Sequence, residues 1–226
     1  MSRFAVIFLV IVTPILALCL ALLGLATIPT NPVGWSLLLT GTVYSAGVVF
    51  VALIRRERIW KAQEDEEVVR EERGDRSFWL ITLAMIAVFF LSPLEYICFA
   101  AWLPRTILTK ACGVGLVVIG SVLFVWSRRT LGASYSGHVS VQKGQELVQS
   151  GPYRFIRHPA YAGYLWMALG ISVGYSSLAG LISVFALLLP SLVYRMNVEE
   201  RVQKEHYGEA YHRYASRVNR FIPGIW

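Results

Sequence analysis

Apolar residues run without a charge from Phe4 to Ala26, and uninterrupted apolar stretches recur over Gly34–Ile54, Phe78–Ala101 and Thr109–Ser127. A helix needs roughly 20 apolar residues to cross the hydrocarbon of a bilayer, so each stretch predicts one span. The first is longer than the apolar part of a signal peptide and has no convincing small-residue cleavage pattern, which predicts a retained helix. From Tyr161 to Tyr194 the chain stays apolar for 34 residues, broken only by Gly170, Gly174 and Ser176-Ser177. That is too long for one crossing and predicts a fifth and a sixth helix joined near Gly174–Ser177. Gly170-x-x-x-Gly174 would let helices approach closely, but a tight hairpin turn is the simpler expectation. The expected fold is all-α: a polytopic transmembrane bundle of about six spanning helices with a cytoplasmic C-terminal amphipathic helix.

Composition agrees with lipid as the main solvent. Hydrophobic residues make up 56% of the 226 residues and charged residues 15%, against about 25% charged in soluble domains. This argues strongly against a soluble globule and excludes a disordered chain. Cys19, Cys98 and Cys112 all lie in apolar stretches with no CxxC pairing. They read as small packing residues, not a disulfide frame or metal ligands.

The net charge of +7 comes from 21 basic and 14 acidic residues. With six spans, the start of the chain, 55–77, 128–160 and 195–226 fall on one side of the membrane. They hold 19 of the 21 basic residues, leaving Arg105 and Lys110 opposite. The positive-inside rule then places both termini, all four histidines and any active site in the cytoplasm. The basic residues follow the membrane boundary with acids among them, so no nucleic-acid partner is expected. Within 55–76, pairs such as Glu57/Lys61, Glu66/Arg70 and Glu72/Arg76 predict a solvated helical extension of the second span.

Two cytoplasmic segments carry more polarity than packing requires. In the first, Ser150-Gly151-Pro152 signals a turn, and Pro159 suits the first turn of the fifth helix. Arg157 and His158 then sit at a helix N-terminus, where free N–H groups and the helix dipole favour an anion. Tyr161 and Tyr164 also suit ordinary interface aromatics. In the second segment, Arg195 and Glu199 are four apart and share a face where the sixth helix leaves the membrane. Glu199 and Glu200 lie near the hydrocarbon, where an ionisable group is expensive without a partner. Tyr207, Tyr211, Tyr214 and Val218 recur at helical spacing, which predicts an amphipathic helix against the bilayer or the bundle.

At these residues the chain resembles the isoprenylcysteine carboxyl methyltransferase family of membrane enzymes. The pattern is Leu147-Val148-x-Ser150-Gly151-Pro152-Tyr153-Arg154 through Arg157-His158-Pro159-x-Tyr161-x-Gly163, then Glu199-Glu200, Tyr207-Gly208-x-x-Tyr211-x-x-Tyr214 and Arg220-x-x-Pro223. It covers roughly 120–226. The resemblance implies S-adenosyl-L-methionine as cofactor and a lipophilic acceptor reached from the bilayer, named for prenylated cysteine. It assigns cofactor contacts to Gln145, Glu146, Leu147, Val148, Tyr153, His158, Pro159, Ala160, Tyr161 and Glu199, and substrate-carboxylate positioning to Arg195. It involves no metal. Residues 1–127 would be an N-terminal membrane part carrying the charged loop 55–77, and 128–226 the methyltransferase core, folded as one unit.

Two other readings use parts of the pattern. His158-Pro159-x-Tyr161-x-Gly163 is shared with NADPH-dependent membrane reductases of the sterol-reductase type, in which Arg154 and Arg157 would meet a 2′-phosphate. Glu199-Glu200 and Tyr207-Gly208 have no role there. A non-catalytic protein binding membrane lipids through its polar cluster is the third.

Overall fold

The computed structural model describes residues 13–43, 68–71, 76–99, 102–132, 140–142 and 145–221. The described structure is helical: α1 Thr13–Thr27, α2 over 34–43, α3 Ser77–Cys98, α4 Ile107–Leu131, α5 Pro159–Gly174, α6 Leu178–Tyr207 and α7 Glu209–Ala215. Three described helices, α3, α4 and α6, are long and apolar enough to cross a membrane. The described parts of α1 and α2 coincide with the first two expected spans.

Leu22, Leu83, Val122 and Phe185 are each more than half exposed on these helices. Side chains like these suit contact with lipid, as a membrane bundle requires. Val88, Ala168, Ile171, Leu188, Leu192 and Met196 are fully enclosed and form the core between α3, α5 and α6. The three cysteines are exposed, so they do not pack the interior as expected.

Glycines set the close contact between α4 and α5. A methyl group on Gly120 would lie 2.7 Å from the Gly163 carbonyl oxygen, and one on Gly113 would lie 2.7 Å from that of Gly170. The seven-residue spacing in both helices puts the two pairs on matching stripes, so the backbones of α4 and α5 touch. Gly170 and Gly174 therefore serve close approach, the reading that the hairpin expectation had ranked second. The turn follows them at Tyr175–Ser177.

That turn is held by a side chain from another helix. Glu95, beyond Pro93 in α3, accepts hydrogen bonds from Ser177 Oγ (2.6 Å), Leu178 N (3.2 Å) and Ala179 N (2.8 Å). It satisfies N–H groups that the start of α6 leaves without helical partners. Glu95→Ala removes that acceptor and is expected to cost about 1–2 kcal/mol. A lower thermal-unfolding midpoint in detergent checks this; an unchanged midpoint contradicts it.

Two further expectations are corrected. Val68–Glu71 forms a strand, β1, paired antiparallel with β2, Ser140–Gln142. The helical extension therefore fails at these residues, where β-branched Val68 and Val69 favour a pleated strand; the remainder of that expectation lies outside the described residues. The pairing joins the loop after α2 to the loop after α4, and both strands contact the last part of α6. These loops thus share one end of the bundle, as the charge distribution predicts. Second, the C-terminal amphipathic helix is not continuous. Gly208, at φ +52°, ends α6 and turns the chain into the seven-residue α7. A non-glycine residue would be strained there.

Candidate functional site

α5 and α6 run antiparallel from their shared turn, so the start of α5 and the end of α6 come to the same end. Gly151–Arg154 forms a single 3₁₀ turn, with Gly151 at φ +58° packed against Thr130 at the end of α4. His158 then caps α5 in a non-helical conformation, and Pro159 takes the first helical position, where no N–H is needed. The His158 ring does not cap its own helix. It turns instead toward α6.

There it meets both acids. His158 Nε2 lies 3.1 Å from Glu200 Oε1, and Nδ1 lies 3.8 Å from Glu199 Oε2. Tyr161, one turn along α5, stacks on the His158 ring with centroids 5.6 Å apart. Its hydroxyl donates to Glu199 Oε2 at 2.8 Å and accepts from Arg195 Nε at 3.1 Å. Arg195 also donates from a terminal nitrogen to Ser77 Oγ, at the start of α3, at 3.0 Å. Gln203 donates to the other oxygen of Glu199 at 3.3 Å. Four sequence-predicted residues thus stand in one cluster: Tyr161, Arg195 and Glu199 are joined by hydrogen bonds, and His158 lies against them through its stack on Tyr161 and its approach to Glu199.

The two glutamates do different work because adjacent helical residues point about 100° apart. Glu200 is the more enclosed, its side chain 9% exposed against 29% for Glu199. Its Oε1 receives Arg157 Nε at 3.2 Å and Arg220 Nε at 3.1 Å in addition to His158. Arg157 goes on to donate to the carbonyls of Ala215 (2.7 Å) and Val218 (2.8 Å). The backbone N–H groups of Arg157 and His158 donate to the carbonyls of Asn219 and Arg220. Glu200 is therefore the hub that laces the segment after α7 onto the segment entering α5.

Tyr153 is buried, and its carbonyl accepts from the Tyr214 hydroxyl at 2.7 Å. Tyr211 is fully enclosed, and its hydroxyl has no hydrogen-bond partner among the described residues. Burial pushes both phenols of α7 up from their usual range, so both stay protonated at neutral pH. These tyrosines face inward and not toward the bilayer. Pro159 is buried and Ala160 half-buried in the first turn of α5. Gln145, Glu146, Leu147 and Val148 lie ahead of the 3₁₀ turn without regular secondary structure, Glu146 exposed and its neighbours half-buried.

Sequence reasoning left Arg157, Glu200, Arg220 and Ser77 out of the site. For Glu200 a signal is present: two adjacent acids near hydrocarbon each need a partner, and the resemblance assigns no contact to the cations Arg157 and Arg220. Ser77 gave no signal, because its role depends only on where α3 starts.

Known proteins similar to this chain include membrane methyltransferases. A family model described as phospholipid methyltransferase matches residues 108–210. The chain is 31% identical over 122 residues to a protein-S-isoprenylcysteine O-methyltransferase of Saccharomyces cerevisiae, covering 52% of this chain and 51% of that protein. It is 26% identical over 115 residues to protein-S-isoprenylcysteine O-methyltransferase B of Arabidopsis thaliana, covering 50% and 58%. The matched region thus spans little more than half the length of these relatives. A solved eukaryotic intramembrane Ras methyltransferase, an isoprenylcysteine carboxyl methyltransferase, superposes with a TM-score of 0.52 at 19% identity, over 92% of this chain and 73% of that one. The family resemblance carried by the motifs is borne out, and the helical membrane fold is shared.

Proposed function

We propose that this chain, a relative of the isoprenylcysteine carboxyl methyltransferases, moves a methyl group from S-adenosyl-L-methionine to a lipophilic acceptor, the carboxylate of a prenylated cysteine or a similar small lipid. The observation that carries this is the single cluster joining His158, Tyr161 and Glu199 to Arg195 at one end of the bundle. A polar cofactor and an acidic acceptor need a site with both signs of charge beside hydrocarbon. This cluster has that chemistry.

The donor set fits the cofactor. Glu199 is the reachable carboxylate and suits hydroxyl or amino groups. His158 and the first N–H groups of α5 suit a carboxylate or an adenine edge. When bound, S-adenosylmethionine supplies a methyl group on a positively charged sulfur. The acceptor carboxylate, with a pKa near 4, is ionised at neutral pH, so the protein needs no strong general base. Its task is alignment of the reacting atoms at about 3–3.5 Å. Arg195 is suited to hold the acceptor because Tyr161 and Ser77 fix its guanidinium at two nitrogens, and a planar guanidinium matches a carboxylate. Opposite charges cancel as methyl moves, so exclusion of water by the surrounding helices favours the step.

The distribution of basic residues supports a cytoplasmic location for both termini and the site. The acceptor would enter from the bilayer and the cofactor from water. A reductase is less well supported: Arg157 is committed to Glu200 and two carbonyls, and Arg154 lies over the Phe155 ring at 4.5 Å, so neither is poised for a 2′-phosphate.

The test is transfer of labelled methyl from S-adenosylmethionine to a prenylcysteine analogue by the protein in lipid vesicles. A methyl ester releases volatile labelled methanol in alkali, whereas a methyl group on nitrogen or thioether sulfur does not. Base-labile label in the lipid fraction is expected. Base-stable label would move the acceptor to an amine or thiol, and no label above empty vesicles would reject the activity.

A further inference from the structure

The cofactor-side Glu199 and the acceptor-side Arg195 share one hydroxyl. Arg195 has only donors and an ionised Glu199 only acceptors. With Arg195 Nε at 3.1 Å and Glu199 Oε2 at 2.8 Å from Tyr161 Oη, the direction of both hydrogen bonds is forced. Arg195 donates to the phenol oxygen, and the phenol O–H donates to Glu199. A cation on the oxygen of a hydroxyl strengthens the bond that its hydrogen makes. The two bonds therefore reinforce one another.

Each end of this chain is also held from outside. Ser77, at the start of α3, fixes Arg195, and Gln203 fixes Glu199. The phenol ring is itself placed by stacking on His158. The hydroxyl thus has one partner on each ligand's side and lies on a rigid helix between them.

We propose that Tyr161 is the positioning residue that couples the two subsites: its hydroxyl makes cofactor binding and acceptor binding cooperative. This rests on the methyltransferase reading and extends it. A ligand that orders Glu199 orders Tyr161, and through it Arg195. The second ligand then meets a site already arranged, and the ordering entropy is not lost again. The benefit is reciprocal, because a coupling free energy is the same from either side. The site is then organised for the acceptor when the methyl donor is present.

The experiment is calorimetric titration of the purified full chain in detergent with N-acetyl-S-farnesylcysteine, with and without saturating S-adenosylhomocysteine, which allows no turnover. In the unsubstituted protein, S-adenosylhomocysteine is expected to tighten binding of the farnesylcysteine about fivefold or more. Tyr161→Phe keeps the ring and its stacking but removes the hydroxyl, and should reduce the enhancement below about twofold. Arg195→Gln breaks the chain from its other end and should also reduce it below about twofold while S-adenosylhomocysteine still binds. Ser77→Ala should weaken the farnesylcysteine but leave the enhancement in place, which a general loosening of the site would not do. Equal affinities with and without S-adenosylhomocysteine in the unsubstituted protein, or an undiminished enhancement in Tyr161→Phe, overturn the coupling while leaving the methyltransferase reading intact. Failure of the unsubstituted protein to bind S-adenosylhomocysteine at all rejects both.

Discussion

Glu200→Ala is expected to destabilise the protein by about 3–5 kcal/mol, the usual effect of removing one partner from a buried ionic network. The reason is local. Glu200 Oε1 receives Arg157 Nε, Arg220 Nε and His158 Nε2 together, so alanine leaves two guanidinium groups and an imidazole facing one another without an anion. Arg157 keeps its bonds to the carbonyls of Ala215 and Val218, which then hold a charge in place with nothing to balance it. Lys204, 4.0 Å from the other oxygen of Glu200 and about half exposed, contributes little, as solvent-exposed pairs do. Glu200→Gln keeps an oxygen of the same shape without the charge and should fall between alanine and the unsubstituted protein. Thermal unfolding in detergent reads the order. Limited proteolysis near 215–221 reads whether that segment has come loose. A Glu200→Ala protein that melts and resists protease like the unsubstituted chain contradicts the hub.

Arg195→Ala carries the second large effect, on turnover. It removes the group proposed to align the acceptor, and misplacement by about 1 Å can cost about 10²-fold in rate. A loss of about 10²-fold or more in kcat/KM for a prenylcysteine analogue is expected, with S-adenosylhomocysteine still bound. Arg195→Lys should not rescue it. Lysine keeps the charge but has a single donor centre, and cannot reach Tyr161, Ser77 and an acceptor as a planar fork does. Turnover retained in Arg195→Ala rejects its role.

Much of this architecture is legible in the chain because hydrocarbon imposes a simple pattern. The runs 78–101 and 109–127 become α3 and α4 within a few residues, and the break in 161–194 falls where Tyr175–Ser177 turns. The His158-Pro159 start of α5 and the placement of Arg195 and Glu199 on one face are also readable, because they depend on local helix geometry. Contacts between distant segments are less accessible. Periodicity alone does not show that Gly113 meets Gly170 or that Glu95 caps α6, since both depend on which helices become neighbours. The strand at Val68–Glu71 forms only because Ser140–Gln142 lies beside it. Gly208 could have signalled the break between α6 and α7, but the tyrosine spacing across it suggested one helix. Glu200 is visible as a residue in need of a partner, whereas the three partners of its Oε1 come from segments that only the fold brings together.

The central proposal is that His158, Tyr161 and Glu199 hold an adenosyl cofactor. Calorimetric titration of the detergent-solubilised protein with S-adenosylhomocysteine and, separately, with NADPH tests this directly, using the unsubstituted chain and Glu199→Ala side by side. Saturable binding of S-adenosylhomocysteine, weakened by about 1.5–3 kcal/mol (about tenfold or more) in Glu199→Ala, with no heat from NADPH, is the predicted result. Saturable binding of NADPH alone, or S-adenosylhomocysteine binding that Glu199→Ala leaves unchanged, would contradict it.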